Sequence, residues 1–277
     1  MNTPFVFFGS YKFAYTVLSD LISAGMIPSL IICNVDKPIG RKQILTPPPV
    51  KELALQHNIP FIQPIGKPSA SDISTASGNA SFAIVAAYAH LIPQESLSVF
   101  SRGVIGVHPS LLPLYRGASP IQTVLLYNDA VTGVSLYKMD NQMDHGPIVV
   151  QKAISIDIQD TYASLEEKLA HLGGSLLIEA IPRWLEGSIQ PQEQNHSQAT
   201  YTQKFVTEDG RVDLHDDLPE SIARKIRALA HDPGVFAFID GKRTKLLQIQ
   251  DTPDAYIITR VIPEGRKEQD AHIVLKK

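Results

Sequence analysis

The sequence predicts an α/β protein in two parts, a mostly parallel sheet flanked by helices and then a small antiparallel β-barrel. Three observations carry the prediction. Over residues 5–34 a short apolar run, a stretch with apolar residues at helical spacing and a second apolar run follow one another, the pattern of a βαβ unit with a right-handed crossover. Residues 163–184 set Leu165, Leu169, Leu172, Leu176, Leu177 and Ile181 at helical spacing, a long amphipathic helix that closes the first part. After a Gln- and Ser-rich tract without periodicity at 187–202, a helix-like segment and four strand-like runs follow. The first part is therefore assigned to residues 1–188, a linker to 189–204 and the second part to 205–277.

The elements follow in order. FVFF at 5–8 is a buried strand ending at Gly9-Ser10, and Phe13, Val17, Leu18, Leu21 and Ile22 form a helix face. The turn between them has one glycine rather than GxGxxG, so no dinucleotide is implied and Gly9 gives backbone room beside a ligand or a helix. PSLIICN at 28–34 is the next strand. DKPIGRKQILTPPP at 36–49 interrupts the alternation, because four prolines, a glycine and three basic residues make a poor helix and a poor strand. It reads as a surface loop on the crevice side of the sheet. A short helix at 50–56, a short strand at 59–63, a weak helix within 66–81 and a buried strand at 82–87 come next. Then follow a helix at 120–127 with proline near its first turn and strands at 133–138 and 147–156. In the second part a helix at 218–230 carries Leu218, Ile222, Ile226 and Leu229 on one face. Strands at 235–239, 244–250, 256–262 and 272–275 follow, with Asp240-Gly241 as a hairpin signal between the first two.

Composition bounds the function. At 277 residues and 44% hydrophobic, the chain can bury a sizeable core. A net charge of -3 gives no global footprint for nucleic acid, and from Lys204 to Lys277 13 Lys/Arg balance 13 Asp/Glu. The single cysteine, Cys33, excludes an internal disulfide and suits a reducing compartment. No apolar stretch approaches ~20 residues, so no membrane span is expected, and the N-terminus has no signal-like block. A cytoplasmic protein is the expectation.

The chemistry concentrates in GVIGVHPSLLPLYRGASP at 103–120. Val104, Ile105 and Val107 form a buried strand that stops at His108-Pro109, since proline cannot donate to a ladder. An imidazole thus stands at the carboxyl end of a central strand, where open α/β sheets bind ligands. A second motif, MDNQMDHG at 139–146, follows another strand, so His108 and Asp144 are expected to meet in one crevice.

Together, HPSLLPLYRGASPIQ and MDNQMDHGPI resemble the folate-dependent formyltransferases. GSYKFA at 9–14, DKPIGRK at 36–42, AYAHLIP at 87–93 and IRALAHDPGVFAFIDGKRTKL at 226–246 are similar in the same order. The resemblance implies a Rossmann-like first domain, an OB-like second one, 10-formyltetrahydrofolate as formyl donor and no metal. It implies a proton-shuttling His108 oriented by Asp144, with no covalent intermediate. Folate contacts fall on Ser110, Leu111, Leu112 and Pro113, on Ala87, Tyr88 and Ala89, and on Met139, Asp140 and Met143. Tyr88 fits a core aromatic equally well, and Ala89 stands where the family has glycine, a strained choice only if its φ is positive. Members that act on tRNA carry an insertion with a P-x-G-R core, which Arg41 matches. Lys42 and Arg116 join it as expected RNA contacts, with initiator methionyl-tRNA as acceptor and a monomer as the assembly.

One position departs from the family. Gly106 stands where an asparagine amide serves the oxyanion, and losing such a donor costs on the order of 10²–10³ in rate. The expectation is a water in the vacant place and a Gly106→Asn variant that is neutral or improved. Two other readings stay open: formylation of an amino-sugar nucleotide, and a folate- or tRNA-binding protein with weakened catalysis.

Overall fold

Phe5, Val6, Phe7 and Phe8 are all buried, as a strand must be when both faces of its sheet are covered. This is β1 (Phe5–Gly9), an interior strand of the molecule's main sheet. The computed structural model describes residues 3–40 and 42–277. After β1 come α1 (Lys12–Ser23), β2 (Leu30–Ile32), β3 (Lys37–Ile39), β4 (Ile44–Thr46), α2 (Pro49–Gln56), β5 (Phe61–Ile62), α3 (Ala70–Ser77), β6 (Phe82–Ala86) and α4 (Gln94–Leu97). Next are β7 (Val104–His108), β8 (Arg116–Gly117), α5 (Pro120–Tyr127), β9 (Val131–Lys138), β10 (Ile148–Ser155) and α6 (Tyr162–Leu185). The chain ends with β11 (Tyr201–Thr202), α7 (Pro219–Leu229), β12 (Val235–Ile239), β13 (Lys242–Asp251), β14 (Ala255–Pro263) and β15 (Gln269–Lys276).

Seven strands form the main sheet in the order β10-β9-β7-β6-β1-β2-β5. β1 pairs in parallel with β2 and β6, β2 with β5 and β6 with β7, whereas β9 runs antiparallel to β7. The order reverses beside β1, which puts the switch point between β1 and β6. One face of the sheet sends Val6, Phe8, Leu30, Ile32, Ala83 and Val104 into a core cluster, each large side chain contributing ~1.5–3 kcal/mol by burial. Gly9 ends β1 against α1 and β6: a Cβ there would stand 2.7 Å from the Ala14 Cβ and 3.0 Å from the Ala86 carbonyl oxygen. Its role is close packing. Cys33 is buried beyond β2, and burial pushes its thiol up to about 12.

The 36–49 stretch is not the irregular loop expected. β3 and β4 pair as a hairpin, Lys37 with Thr46 and Ile39 with Ile44. Gly40 supplies the turn at φ 71°, and the Gln43 amide donates to the Gly40 carbonyl at 3.1 Å. Pro38 is tolerated because each strand has a single partner and can keep a nitrogen outward.

Close packing divides the chain into two units, Met1–Arg116 with Gly133–Ala153 and Glu167–Thr200, and Gly117–Thr132 with Ile154–Glu166 and Tyr201–Lys277. Residues 189–200, read from composition as linker, thus pack with the first unit, where Gln192 exchanges backbone hydrogen bonds of 2.7 and 2.8 Å with Ile148. In the second unit β12, β13, β14 and β15 form an antiparallel meander. α7 lies against that sheet and α5 packs on α7. Among the described residues no helix is long and apolar enough to cross a membrane.

Candidate active site

β7 presents His108 at its carboxyl end, with the ring buried. Nε2 lies 2.8 Å from the Tyr115 carbonyl oxygen, an acceptor, so this nitrogen carries a hydrogen in the arrangement. Nδ1 faces Asp144 Oδ2 at 3.6 Å, beyond a direct hydrogen bond but close enough for an ion pair once the ring is protonated. The two motifs do meet.

They meet across the face of β7. Because β9 is antiparallel to β7, Lys138 pairs with Ile105 while Ser135 pairs with His108. The 139–147 loop therefore leaves from the level of β7's start and returns toward the ring. Asp144 ends that return at φ 51°, in the left-handed region that few residues adopt. Gln194 holds it there, its Nε2 donating to the backbone carbonyls of Asp144 at 3.0 Å and Gly146 at 2.7 Å. Gln194 Oε1 accepts from Arg116 Nε at 3.2 Å and Nη2 at 2.6 Å. The same Nη2 stands 2.9 Å from His196 Nδ1. The His196 ring stacks on His145, centroids 4.0 Å apart and planes 3° from parallel, and His145 Nδ1 reaches Asp140 Oδ2 at 2.7 Å.

Arg116 is accordingly not an RNA contact. It is 1% exposed, its guanidinium engages Gln194 and His196, and its backbone N–H donates to the Thr200 carbonyl at 2.9 Å. It ties the loop after β7 to residues 194–200. Of the other expected RNA contacts, Lys42 is exposed, and Arg41 lies outside the described residues.

The expected folate residues fall into two groups. Ser110 and Leu112 are buried and build the loop itself. Ser110 Oγ donates to the Leu114 carbonyl at 2.6 Å. Ser135 Oγ donates to the Ser110 carbonyl at 2.6 Å and accepts from the Leu112 N–H at 3.0 Å, while Gln151 Nε2 donates to the Leu112 carbonyl at 2.7 Å. Leu111 and Pro113 are half-buried. After β6, Ala89 is exposed and is not among the positive-φ residues, so its replacement of glycine is a mild one, while Ala87 stands at φ 42°. Tyr88 and Met139 both pack on the cluster of Val6, Phe8 and Val104, so Tyr88 is a core aromatic in part. Its hydroxyl is nevertheless buried with no hydrogen-bond partner among the described residues, and burial pushes the phenol up to about 12. Asp140 is half-buried and Met143 exposed.

The place beside Gly106 is not vacant. A Cβ on Gly106 would stand 2.4 Å from Tyr137 Cε1 and 2.8 Å from its hydroxyl oxygen. Tyr137 is buried, and its hydroxyl donates to Asp144 Oδ1 at 2.8 Å. Tyr137, Ser135, Gln151 and Gln194 are the site residues that sequence reasoning missed. The first two alternate with Val134 and Leu136, which assigns them one face of β9, but nothing in the sequence says what that face meets.

Residues 3–181 match the family described as formyl transferase, and residues 204–257 match the formyl transferase C-terminal domain. The chain belongs to the formyltransferase family. A methionyl-tRNA formyltransferase of Thermotoga maritima is 41% identical over 246 residues, 88% of this chain and 78% of that one. The solved methionyl-tRNA formyltransferase from Clostridium thermocellum superposes with a TM-score of 0.62 at 16% identity, covering 98% of this chain and 100% of that one. The N-formyltransferase from Helicobacter canadensis, solved in complex with folinic acid and dTDP-3-aminofucose, gives a TM-score of 0.63 at 18% identity over 99% of this chain and 98% of that one. The two structural likenesses speak for the formyltransferase fold. In this formyltransferase His108 and Asp144 face each other, and the strand residue two before the histidine is a glycine under a tyrosine ring.

Proposed function

We propose that this formyltransferase moves the formyl group of 10-formyltetrahydrofolate onto the α-amine of methionine carried by initiator tRNA, as a monomer at work in cytoplasmic translation initiation. The observation that carries the reading is the His108–Asp144 pair, 3.6 Å apart at the carboxyl side of the sheet. It stands within a chain 41% identical to a methionyl-tRNA formyltransferase.

In this reading the neutral amine attacks the formyl carbon and its surplus proton passes to His108. The imidazolium returns a proton to the folate nitrogen as its bond to the formyl carbon breaks, so one proton is moved and none is left over. Asp144 holds the ring and stabilises its cation. The donor lies along the backbone of residues 87–89 and the 110–113 loop, with the Tyr88 hydroxyl as a polar contact and Met139, Asp140 and Met143 at its edge. Arg41 and Lys42 meet phosphates or a stacked base at the acceptor end, a task that suits arginine's planar fork. Residues 1–188 act as the catalytic part and 205–277 as the second domain.

The test is formylation of methionine-charged initiator tRNA by the purified protein with 10-formyltetrahydrofolate. Formyl-methionyl-tRNA is the expected product. No product above background at high protein concentration, with turnover of a dTDP-linked amino sugar instead, overturns the acceptor.

A further inference from the structure

We infer that Tyr137 is a positioning residue for the His108–Asp144 pair, its ring filling the space that a side chain at residue 106 would take. The inference rests on the formyl-transfer reading and adds to it a group that orients the carboxylate.

The register sets the geometry. Gly106 and Tyr137 are directly opposite each other on antiparallel β7 and β9, so any side chains they carry lie on the same face. His108, two residues beyond Gly106, shares that face. The missing Cβ lets the ring lie against β7, with Cε1, Cζ and the hydroxyl oxygen 2.4, 2.5 and 2.8 Å from where that Cβ would be. The phenol is thereby brought to Asp144, which offers Oδ1 to Tyr137 at 2.8 Å and Oδ2 toward His108 Nδ1 at 3.6 Å. Each oxygen has its own task, and the carboxylate cannot turn without losing one of them. A buried hydroxyl is costly unless it is bonded, and here its bond goes to the carboxylate that serves the histidine. Burial first, then the nearby Asp144, raise the phenol well above its ordinary value, so it remains a donor across the working pH range. A ring needed only for packing would do as well without the oxygen.

Tyr137→Phe keeps the ring and removes the donor. Turnover is expected to fall roughly tenfold, as when a hydrogen bond to a charged group is lost. The KM for folate and for charged tRNA should stay within about twofold. In an Asp144→Ala background the same change should alter residual turnover by less than about twofold, because the two groups act as one. Packing has its own arm: Gly106→Ala should lower the melting temperature by at least about 2 °C, and should lower it no further once Tyr137 is already Ala.

Full turnover in Tyr137→Phe, or an equal loss with and without Asp144, overturns the positioning role. Wild-type melting in Gly106→Ala overturns the packing. A wild type that formylates no amine overturns the proposed function and the positioning role with it, while the melting curves still decide whether the ring excludes a side chain at 106.

Discussion

The stretch around His108 and the β3–β4 hairpin differ in how their side chains are satisfied. Around His108, polar groups from different segments close on one another: Arg116 with Gln194, Ser135 with Ser110, and Tyr137 of β9 with Asp144 of the loop that follows. Most are buried, and removing one partner strands another. On the hairpin, Ile39, Ile44 and Leu45 are 58%, 61% and 66% exposed, and the strands pair with each other. The first region spends stability on fixing a few atoms, as acid–base chemistry over short distances requires. The second leaves apolar side chains open to solvent on both of its faces.

The largest effect tests the fixed side. His108→Ala should reduce formylation by roughly 10²–10⁴, and because the buried ring bonds the Tyr115 carbonyl, a stability loss of about 1–3 kcal/mol should accompany it. Activity within a few-fold of wild type would remove the proton shuttle from the comparison. Arg116→Ala comes next. It leaves Gln194 and His196 without their donor, and denaturation should register a loss of about 1–3 kcal/mol. Turnover should fall whatever the acceptor. A variant of normal stability that fails only with tRNA would return Arg116 to the RNA surface.

On the open side, Leu45→Ser should leave stability within about 0.5 kcal/mol, raise the KM for charged tRNA several-fold and leave that for folate unchanged. Equal weakening of both would mean that the hairpin supports the donor site too. The smallest effect concerns Ala87, at φ 42°. Ala87→Gly should stabilise the protein by about 0.5 kcal/mol, the left-handed penalty of alanine less the extra freedom of glycine in the unfolded chain. A lower denaturant midpoint would show that the alanine methyl packs more than it strains.

Much of this was legible in the residues. FVFF, PSLIICN and FAIVAA are mostly apolar and bury most of their side chains on both faces, so their strands followed directly. His108 and Asp144 were legible because each sits in a stretch of unusual composition beyond a strand. Arg116 was misread because arginines are rarely fully buried, and its partner Gln194 hides in a polar tract that resembles a linker. The hairpin was missed because exposed strands carry no hydrophobic alternation to give them away. Tyr137 could be assigned a face of β9 but not a neighbour, since a strand's period says nothing about which strand lies beside it.

The contact between Gly106 and Tyr137 also constrains the routes by which such a chain can change over generations. A side chain gained at 106 while the tyrosine remains meets the ring 2.4 Å from its first carbon. A small residue gained at 137 first leaves a void, which typically costs ~3–5 kcal/mol for a large aromatic. Neither single step is neutral. The two positions form one inherited unit, and a lineage carrying this glycine can regain a side chain there only by giving up the tyrosine first or at the same time.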